Sequence, residues 1–310
     1  MSAPAVSDFE GDGPALGPIL CGTVTVSDVD AATRWYTEWL GWEATGEGAV
    51  SASLAGGWRA PRAAGSRYRI VSPGARRPGG IRLVERSRPL DRSPLHVPGW
   101  RSIELAVSDV DEVRRRLDGS PFRIVGEPKG LEFNPSIRAM QVVGPGREML
   151  YLTQTSDETV FALPRAQRLV DHMFIAVLST PDIGRSFEFY REQFGAQGHL
   201  REVATVLEAV NRELGLPLDQ KHPISALQLA HRSLVEIDLH PPEMADERPP
   251  TDDLPGGLAC VTFAHRDLER VRSLWLHEPV VRDEEPYLGR SATAVLGPAG
   301  ERLELVEERA

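Results

Sequence analysis

Residues suited to acid–base or metal chemistry recur at the starts and ends of strand-like runs. His172 stands at the mouth of the apolar run Met173–Leu178. In Ser233–His240, which reads SLVEIDLH, strand alternation places Glu236, Asp238 and His240 on one face. Glu304 lies in the closing run ERLELVEE. Imidazoles and carboxylates in such places hold hard divalent ions or move protons. Cys21 and Cys260 occupy comparable places in two runs, which fits a role in their own strands better than a bridge. Other chemistry-bearing patterns are missing: no dinucleotide loop follows a strand, and there is no Cys-x-x-Cys pair or Gly-x-Ser-x-Gly elbow.

The elements that must position these residues are repeated. Val170–Gly195 reads as a strand, a turn at Ser179–Pro181 and a helix with Ile183, Phe187, Tyr190 and Phe194 at helical spacing. Pro181 suits the first helical turn and Gly195 the helix end. Cys21–Gly41 repeats the unit, with Tyr36 and Tyr190 154 positions apart. Glu104–Leu117 is a third copy, sharing VSDVD with the first, and Ala259–Leu274 a fourth. Asp109 or Asp111 can cap the helix of the Glu104 copy. Gly144-Pro145 and Gly297-Pro298 close two strand hairpins 153 positions apart. Further strands are expected near Val50–Leu54, Tyr68–Val71, Gly79–Ser87, Phe122–Val125, Ile137–Val143, Glu148–Thr153, Ile224–Leu229 and Ser233–Leu239. Glu202–Leu216 reads as an extra amphipathic helix without a first-half counterpart. Each unit is β, α and then two or three β. This predicts an α+β class of four tandem βαβββ units with mostly antiparallel sheets.

Length and composition narrow the function. The chain has 310 residues, 41% hydrophobic and 26% charged, as in a soluble globular protein of two domains. A net charge of −10 argues against nucleic acid or an anionic membrane as partner, because phosphates need a concentrated positive field. No apolar run approaches the roughly 20 residues that cross a bilayer. Residues 1–17 lack a basic start and an apolar core, so they read as a disordered tail and not a secretory signal. Residues 156–167 read as a linker between halves at 18–155 and 168–308. A cytoplasmic location is the default for such a chain, and homodimerisation is left open.

These features resemble the vicinal oxygen chelate superfamily, which includes glyoxalase I, extradiol dioxygenases and bleomycin-resistance proteins. The features are the four units, a strand entered by Asp171-His172, a Tyr-x-Glu-x-hydrophobic-Gly helix end and a Gly-Pro-x-Gly-x-x-hydrophobic-Glu hairpin. The resemblance covers roughly residues 18–308. It implies two glyoxalase-like domains with open, curled mixed sheets and a divalent metal inside a cavity. By this resemblance His172, Glu236 and Glu304 are the metal ligands, with Cys260 at the remaining position and Asp238 or His240 substituting if the register slips by two. The metal would be Mn²⁺, Mg²⁺, Fe²⁺, Ni²⁺ or Zn²⁺, and a Cys260 thiolate would favour Zn²⁺.

The implied function is a metal-dependent lyase or isomerase acting on a small oxygenated molecule, with Glu236 or Glu304 as catalytic base. The alternatives are a small-molecule sequestration protein without catalysis and a ring-cleaving dioxygenase with altered ligands. Extradiol enzymes need two histidines and one glutamate, and here those positions read His172, Cys260 and Glu304, which argues against them. In the first half the corresponding positions are Cys21, Arg82, Ser102 and Tyr151. No metal site follows from that set, so the N-terminal site is degenerate, and Arg82 and Glu104 are expected to pair. His172 and Glu304 are expected to face each other across one cavity, through pairing of units three and four.

Overall fold

The computed structural model describes residues 13–75, 77–86, 94–131, 134–156, 163, 165–200, 203–241 and 252–308. Residues 1–12 of the expected tail and most of the expected linker lie outside this set. Unit one comprises β1 (Leu16–Val26), α1 (Val29–Arg34, continued by a π-helical turn to Leu40), β2 (Glu43–Ala49), α2 (Ala52–Gly57), β3 (Arg67–Ser72) and β4 (Gly80–Glu85). Unit two is β5 (Gly99–Val107), α3 (Val110–Arg116), β6 (Arg123–Leu131), β7 (Asn134–Val143) and β8 (Met149–Thr155). Unit three is β9 (Val170–Thr180), α4 (Ile183–Phe194), β10 (Val203–Val206), α5 (Glu208–Leu214), β11 (Lys221–Gln228) and β12 (Leu234–Leu239). Unit four is β13 (Gly257–His265), a 3-10 segment (Leu268–Leu274), β14 (Val280–Arg282), β15 (Arg290–Leu296) and β16 (Arg302–Glu307).

Local chemistry explains the openings. Asp28, Asp109 and Asp182 each accept a backbone N–H three residues on, at 2.8, 2.9 and 2.9 Å, which satisfies a donor the helix start leaves free. Asp267 does the same two residues on, and its segment tightens into 3-10 turns. Pro181 therefore precedes the cap and does not open the helix. Gly41 and Gly195 end their helices at φ 74° and 66°, the left-handed region that costs a side chain. α2 replaces the strand expected near Val50–Leu54. Ser51 caps it by accepting the Leu54 N–H, and Leu54 and Ala55 are buried, so tertiary packing stabilises a helix too short and glycine-rich to form alone. α5 stands at the corresponding place between β10 and β11, so the helix expected to be unmatched has α2 as its counterpart.

Pairing between units departs from the sequence expectation. One eight-stranded mixed sheet, sheet A, runs β14-β15-β16-β13-β1-β4-β3-β2, and the other, sheet B, runs β10-β11-β12-β9-β5-β8-β7-β6. Unit one thus pairs with unit four, and unit two with unit three. Each sheet takes one unit from each half of the chain, and units three and four share no sheet. The sheet-A interior is walled by Leu54, Trp58, Tyr68, Ile70 and Tyr287. The opposite faces meet in one shared core, where Ile103, Leu105, Ala176 and Ile237 pack with Leu83, Val261, Leu303 and Leu305. Among the described residues no helix is long and apolar enough to cross a membrane.

Two matching buried pairs tie the helices to the hairpins. Tyr36 of α1 donates to Glu148 at 2.5 Å, and Tyr190 of α4 donates to Glu301 at 3.1 Å. Burial pushes both carboxyls up to about 7, and burial raises Glu104 to about 7 as well. Each raised carboxyl binds its proton more tightly folded than unfolded. Its stability contribution is therefore full below about 4.5 and is lost as pH rises to about 7. His265, held down to about 4 by burial, acts oppositely between that value and its ordinary 6.5. Three carboxyls outweigh one imidazole. Urea unfolding is expected to show stability falling across this window, and Glu148→Gln should flatten the fall. An equal slope in the variant would reject this assignment.

Candidate functional site

In sheet A, the cavity face carries Cys21 and Thr23 on β1, Arg82 on β4, Cys260 and Thr262 on β13, and Glu304 on β16. Arg82 is almost fully buried, at 1% side-chain exposure. Its guanidinium donates to Glu304 at 2.6 Å, to the Tyr287 hydroxyl at 2.8 Å and to Thr23 at 3.2 Å. The Trp58 ring stacks 4.8 Å from it. Glu304 also accepts the Tyr287 and Thr262 hydroxyls at 2.5 and 2.7 Å. Burial alone would raise the Glu304 pKa, but the Arg82 charge and these hydroxyls hold it below the usual value. Burial pushes the Cys21 thiol up to about 12 and raises Cys260 well above its ordinary range, so both remain protonated thiols. The cavity already contains a fixed cation with its carboxylate. These residues do not fit a divalent metal, whose charge would face the guanidinium.

Arg82 therefore pairs with Glu304, 222 positions away, and not with Glu104. The ligand set suggested by the resemblance is dispersed. Glu304 and Cys260 share the sheet-A cavity, and Glu236 belongs to sheet B. His172 lies three residues before the first rung that β9 shares with β12, Ile175 with Leu234. Its Nδ1 is 3.3 Å from Asp171, and its side chain is 31% exposed. Glu236 lies opposite Val177, five residues and roughly 16 Å along the strand from His172. The discrepancy has a simple origin. Aligning His172 with Cys21 requires three extra residues in the Ser179–Pro181 turn. But the strand starts Leu16 and Val170, the caps Asp28 and Asp182, and the helix-ending glycines Gly41 and Gly195 all differ by 154, so the copies align without a gap. At that offset Cys21 corresponds to Ile175, and His172 corresponds to Pro18.

Sheet B holds a different constellation. Glu104 on β5 accepts the Thr153 hydroxyl of β8 at 2.8 Å. Glu236 and Asp238 follow each other on the cavity face of β12. Arg101 donates to Asp238 at 3.0 Å and to Ser179 at 3.0 Å, and Ser179 bonds His240 Nδ1 at 2.9 Å. Glu236, Asp238 and His240 do share a face, as alternation required. Arg101 and Ser179 carried no sequence signal: an irregularity in the β5–β9 register at Trp100–Ser102 brings Arg101 to the Asp238 side.

Electrostatics single this cluster out. Three carboxyls stand beside one buried guanidinium. Burial, then Asp238 and Glu104, raise Glu236 well above the carboxylate range. Burial raises Asp238 despite Arg101. Asp238 Oδ1 accepts no hydrogen bond by geometry, whereas a protonated Glu236 beside it supplies the missing donor. We read the two carboxyls as sharing one proton, because two adjacent buried anions repel. Asp238 is sealed, while Glu236 and Tyr151 keep part of their surface open. Burial, then Asp238 and Glu236, keep the Tyr151 phenol protonated. Among the described residues no three His, Cys, Asp or Glu side chains converge as metal ligands would. With Asp238 committed to Arg101, this set does not fit a divalent ion either.

The surroundings are apolar. Ala106, Ile137, Ile175, Val177 and Leu234 form one wall. Met149 and Tyr151, alternate residues of β8, share another with Leu95, Ala209 and Val210 under α5. A 240 Å³ cavity lies at the Met149 end, lined by Leu95, Val143 and Met149 with Arg123, Arg147 and Glu213. Arg123 bonds Glu213 of α5 at 2.8 Å, and Arg212 of α5 bonds the Val125 carbonyl at 2.5 Å. These contacts hold α5 over the cavity.

No protein-family model and no curated protein sequence matches the chain. Solved structures do. A glyoxalase I mutant from Zea mays aligns with TM-score 0.65 and 17% identity over 95% of this chain and 94% of that one. The unmutated Zea mays glyoxalase I aligns with TM-score 0.62 and 17% identity, over 93% and 92%. A putative dioxygenase from Bacillus subtilis aligns with TM-score 0.61 and 11% identity, over 97% and 87%. At these identities the likeness establishes the fold: the chain has the vicinal oxygen chelate fold, in its four-unit form.

Proposed function

We propose that the sheet-B cavity is the working site, where a small oxygenated organic molecule binds and has a proton moved on it, as in an isomerase or lyase. The observation that carries this reading is the three carboxyls beside one guanidinium on the face of one curled sheet. Perturbed carboxyls in a partly open cavity are suited to acid–base work. Glu104, titrating near 7, serves as the base, and the protonated, part-exposed Glu236 serves as the acid. Tyr151 donates a hydrogen bond to a substrate oxygen, and Arg101 keeps Asp238 anionic behind Glu236. No step runs through a metal, because the side chains on offer for one are dispersed between two sheets. This departs from the metal-dependent chemistry suggested by the sequence resemblance, in which Glu304 was a second catalytic candidate. In sheet A, Glu304 is committed to Arg82.

Sequestration without turnover is the second reading, favoured by the way Arg123 and Arg212 clasp α5 over a cavity of only 240 Å³. A ring-cleaving role gains nothing here, since the two histidines and glutamate it needs are not assembled. The test is a thermal-shift screen of small α-hydroxycarbonyl compounds. Each binder is then followed by NMR for exchange of its carbon-bound hydrogen with solvent deuterium. Exchange is expected to rise with pH as Glu104 ionises around 7, and Glu104→Gln should remove that rise. Binding without exchange would select sequestration, and an unchanged profile in Glu104→Gln would remove Glu104 as base.

A further inference from the structure

Ser102 is fully buried on β5, and its hydroxyl has no hydrogen-bond partner among the described residues. Arg101 beside it keeps its Nε–H in the same state, although its terminal nitrogens bond Asp238 and Ser179. A buried polar group without a partner costs stability, and native proteins keep few of them. Alanine would occupy the Ser102 position without that cost. The hydroxyl is completed by a partner from outside the chain.

The strand register shows where it points. Ser102 pairs with Val177 of β9 on one side and Met149 of β8 on the other. Val177 belongs to the apolar wall, and Met149 lines the 240 Å³ cavity. Glu104 follows on the same face, level with Tyr151. Val177 pairs in turn with Glu236, so Ser102 and Glu236 stand two strands apart, roughly 10 Å between backbones. Val177 floors that gap, and Glu104 and Tyr151 stand on the adjoining rung. A ligand of a few heavy atoms spans it. Met149 is the neighbour of Ser102 on the cavity side, and an unbranched thioether repacks readily to admit a ligand.

Charge restricts the ligand further. Arg101 is paired with Asp238, and Arg123 with Glu213. Arg147, at the same cavity, is engaged as well. These pairings leave a ligand carboxylate no counter-charge, whereas the Asp238 and Glu104 carboxylates repel it.

We propose that Ser102 is a specificity-determining residue whose hydroxyl bonds the hydroxyl of a neutral 2-hydroxy ketone. The ligand's carbonyl oxygen takes the Tyr151 hydrogen bond, and its apolar body lies against Ile175, Val177 and Leu234. A ligand hydroxyl both donates and accepts, and a serine hydroxyl answers in either sense. This names the substrate class of the proposed site and rests on the reading that substrate enters there.

The experiment is ligand-observed NMR titration of three compounds into the full-length wild type and Ser102→Ala. They are 2-hydroxyacetophenone, propiophenone, which has a methyl group in place of the hydroxyl, and phenylglyoxylate, which has a carboxylate in place of the hydroxymethyl group. Alanine removes a hydroxyl that has no partner, so the variant should fold with an unchanged or higher Tm, and loss of folding cannot mimic loss of selectivity. The wild type is expected to bind the hydroxy ketone at least about tenfold tighter than propiophenone, and Ser102→Ala to bring the two within about threefold by weakening the hydroxy ketone. No saturable binding of 2-hydroxyacetophenone below about 10 mM, no preference in the wild type, or a preference that survives in Ser102→Ala overturns the proposal. So does a lower Tm in the variant, which would give the hydroxyl a partner within the chain. Phenylglyoxylate bound as tightly as the hydroxy ketone overturns the neutral class. Deuterium exchange is measured on the same samples. Exchange retained with the preference unchanged in Ser102→Ala sinks the Ser102 assignment alone, and a preference lost in the variant with no exchange on any binder sinks only the proton-transfer reading.

Discussion

Replacing Arg82 by methionine is expected to destabilise the protein by about 3–5 kcal/mol, the usual cost of removing one partner of a buried ion pair. Arg82 and Glu304 are 1% and 3% exposed and 2.6 Å apart. Without the guanidinium, Glu304 either stays charged in a site closed by Trp58 and Tyr287 or takes up a proton. Both routes cost stability. Glu304→Gln should cost a similar amount by leaving the guanidinium buried without its counter-charge. The double replacement Arg82→Met, Glu304→Met should recover most of the loss, because it removes both desolvation penalties together. Equilibrium urea unfolding of the four proteins measures this as a double-mutant cycle. An Arg82→Met midpoint equal to the wild type would refute the view that this pair holds the sheet-A cavity closed.

The second large effect concerns Glu236. Glu236→Gln is expected to lower solvent-proton exchange on any turned-over ligand by roughly 10²–10⁴-fold, the usual contribution of a positioned acid or base. The amide keeps the size of the side chain and still offers an N–H to Asp238 Oδ1, the acceptor otherwise left without a partner. Folding is therefore expected to survive, and the Tm should hold or rise, since a buried carboxyl that must keep its proton is replaced by a neutral group. This separates Glu236 from a merely structural role, which would show in Tm and leave exchange in the surviving protein untouched. An exchange rate within twofold of wild type would remove Glu236 from the mechanism, leaving Glu104 and Tyr151 as the groups to examine.

Much of this protein was legible in its sequence. Asp109, expected as a cap, does begin its helix, and Asp28, Asp182 and Asp267 begin theirs by the same local hydrogen bond spanning two or three residues, where the sequence reading instead puts Pro181 in the first turn. Period-2 alternation fixes which side chains share a strand face, and it placed Glu236 and Asp238 together on β12. The offsets of 153 and 154 fixed four related units, and with them the α+β class. All of these signals are local or repetitive, so they survive without knowledge of neighbours. Pairing between units is neither. All four opening strands present similar edges and similar apolar faces, and nothing within a unit says which edge it joins. The tertiary structure alone joined unit one to unit four, which set Arg82 against Glu304 across 222 positions and closed the sheet-A cavity. It alone joined unit two to unit three, which brought Glu104 beside Glu236 and Asp238 and left their charges short of partners. A candidate site here is a property of two strand edges meeting, and that meeting is decided by the packing of whole sheets.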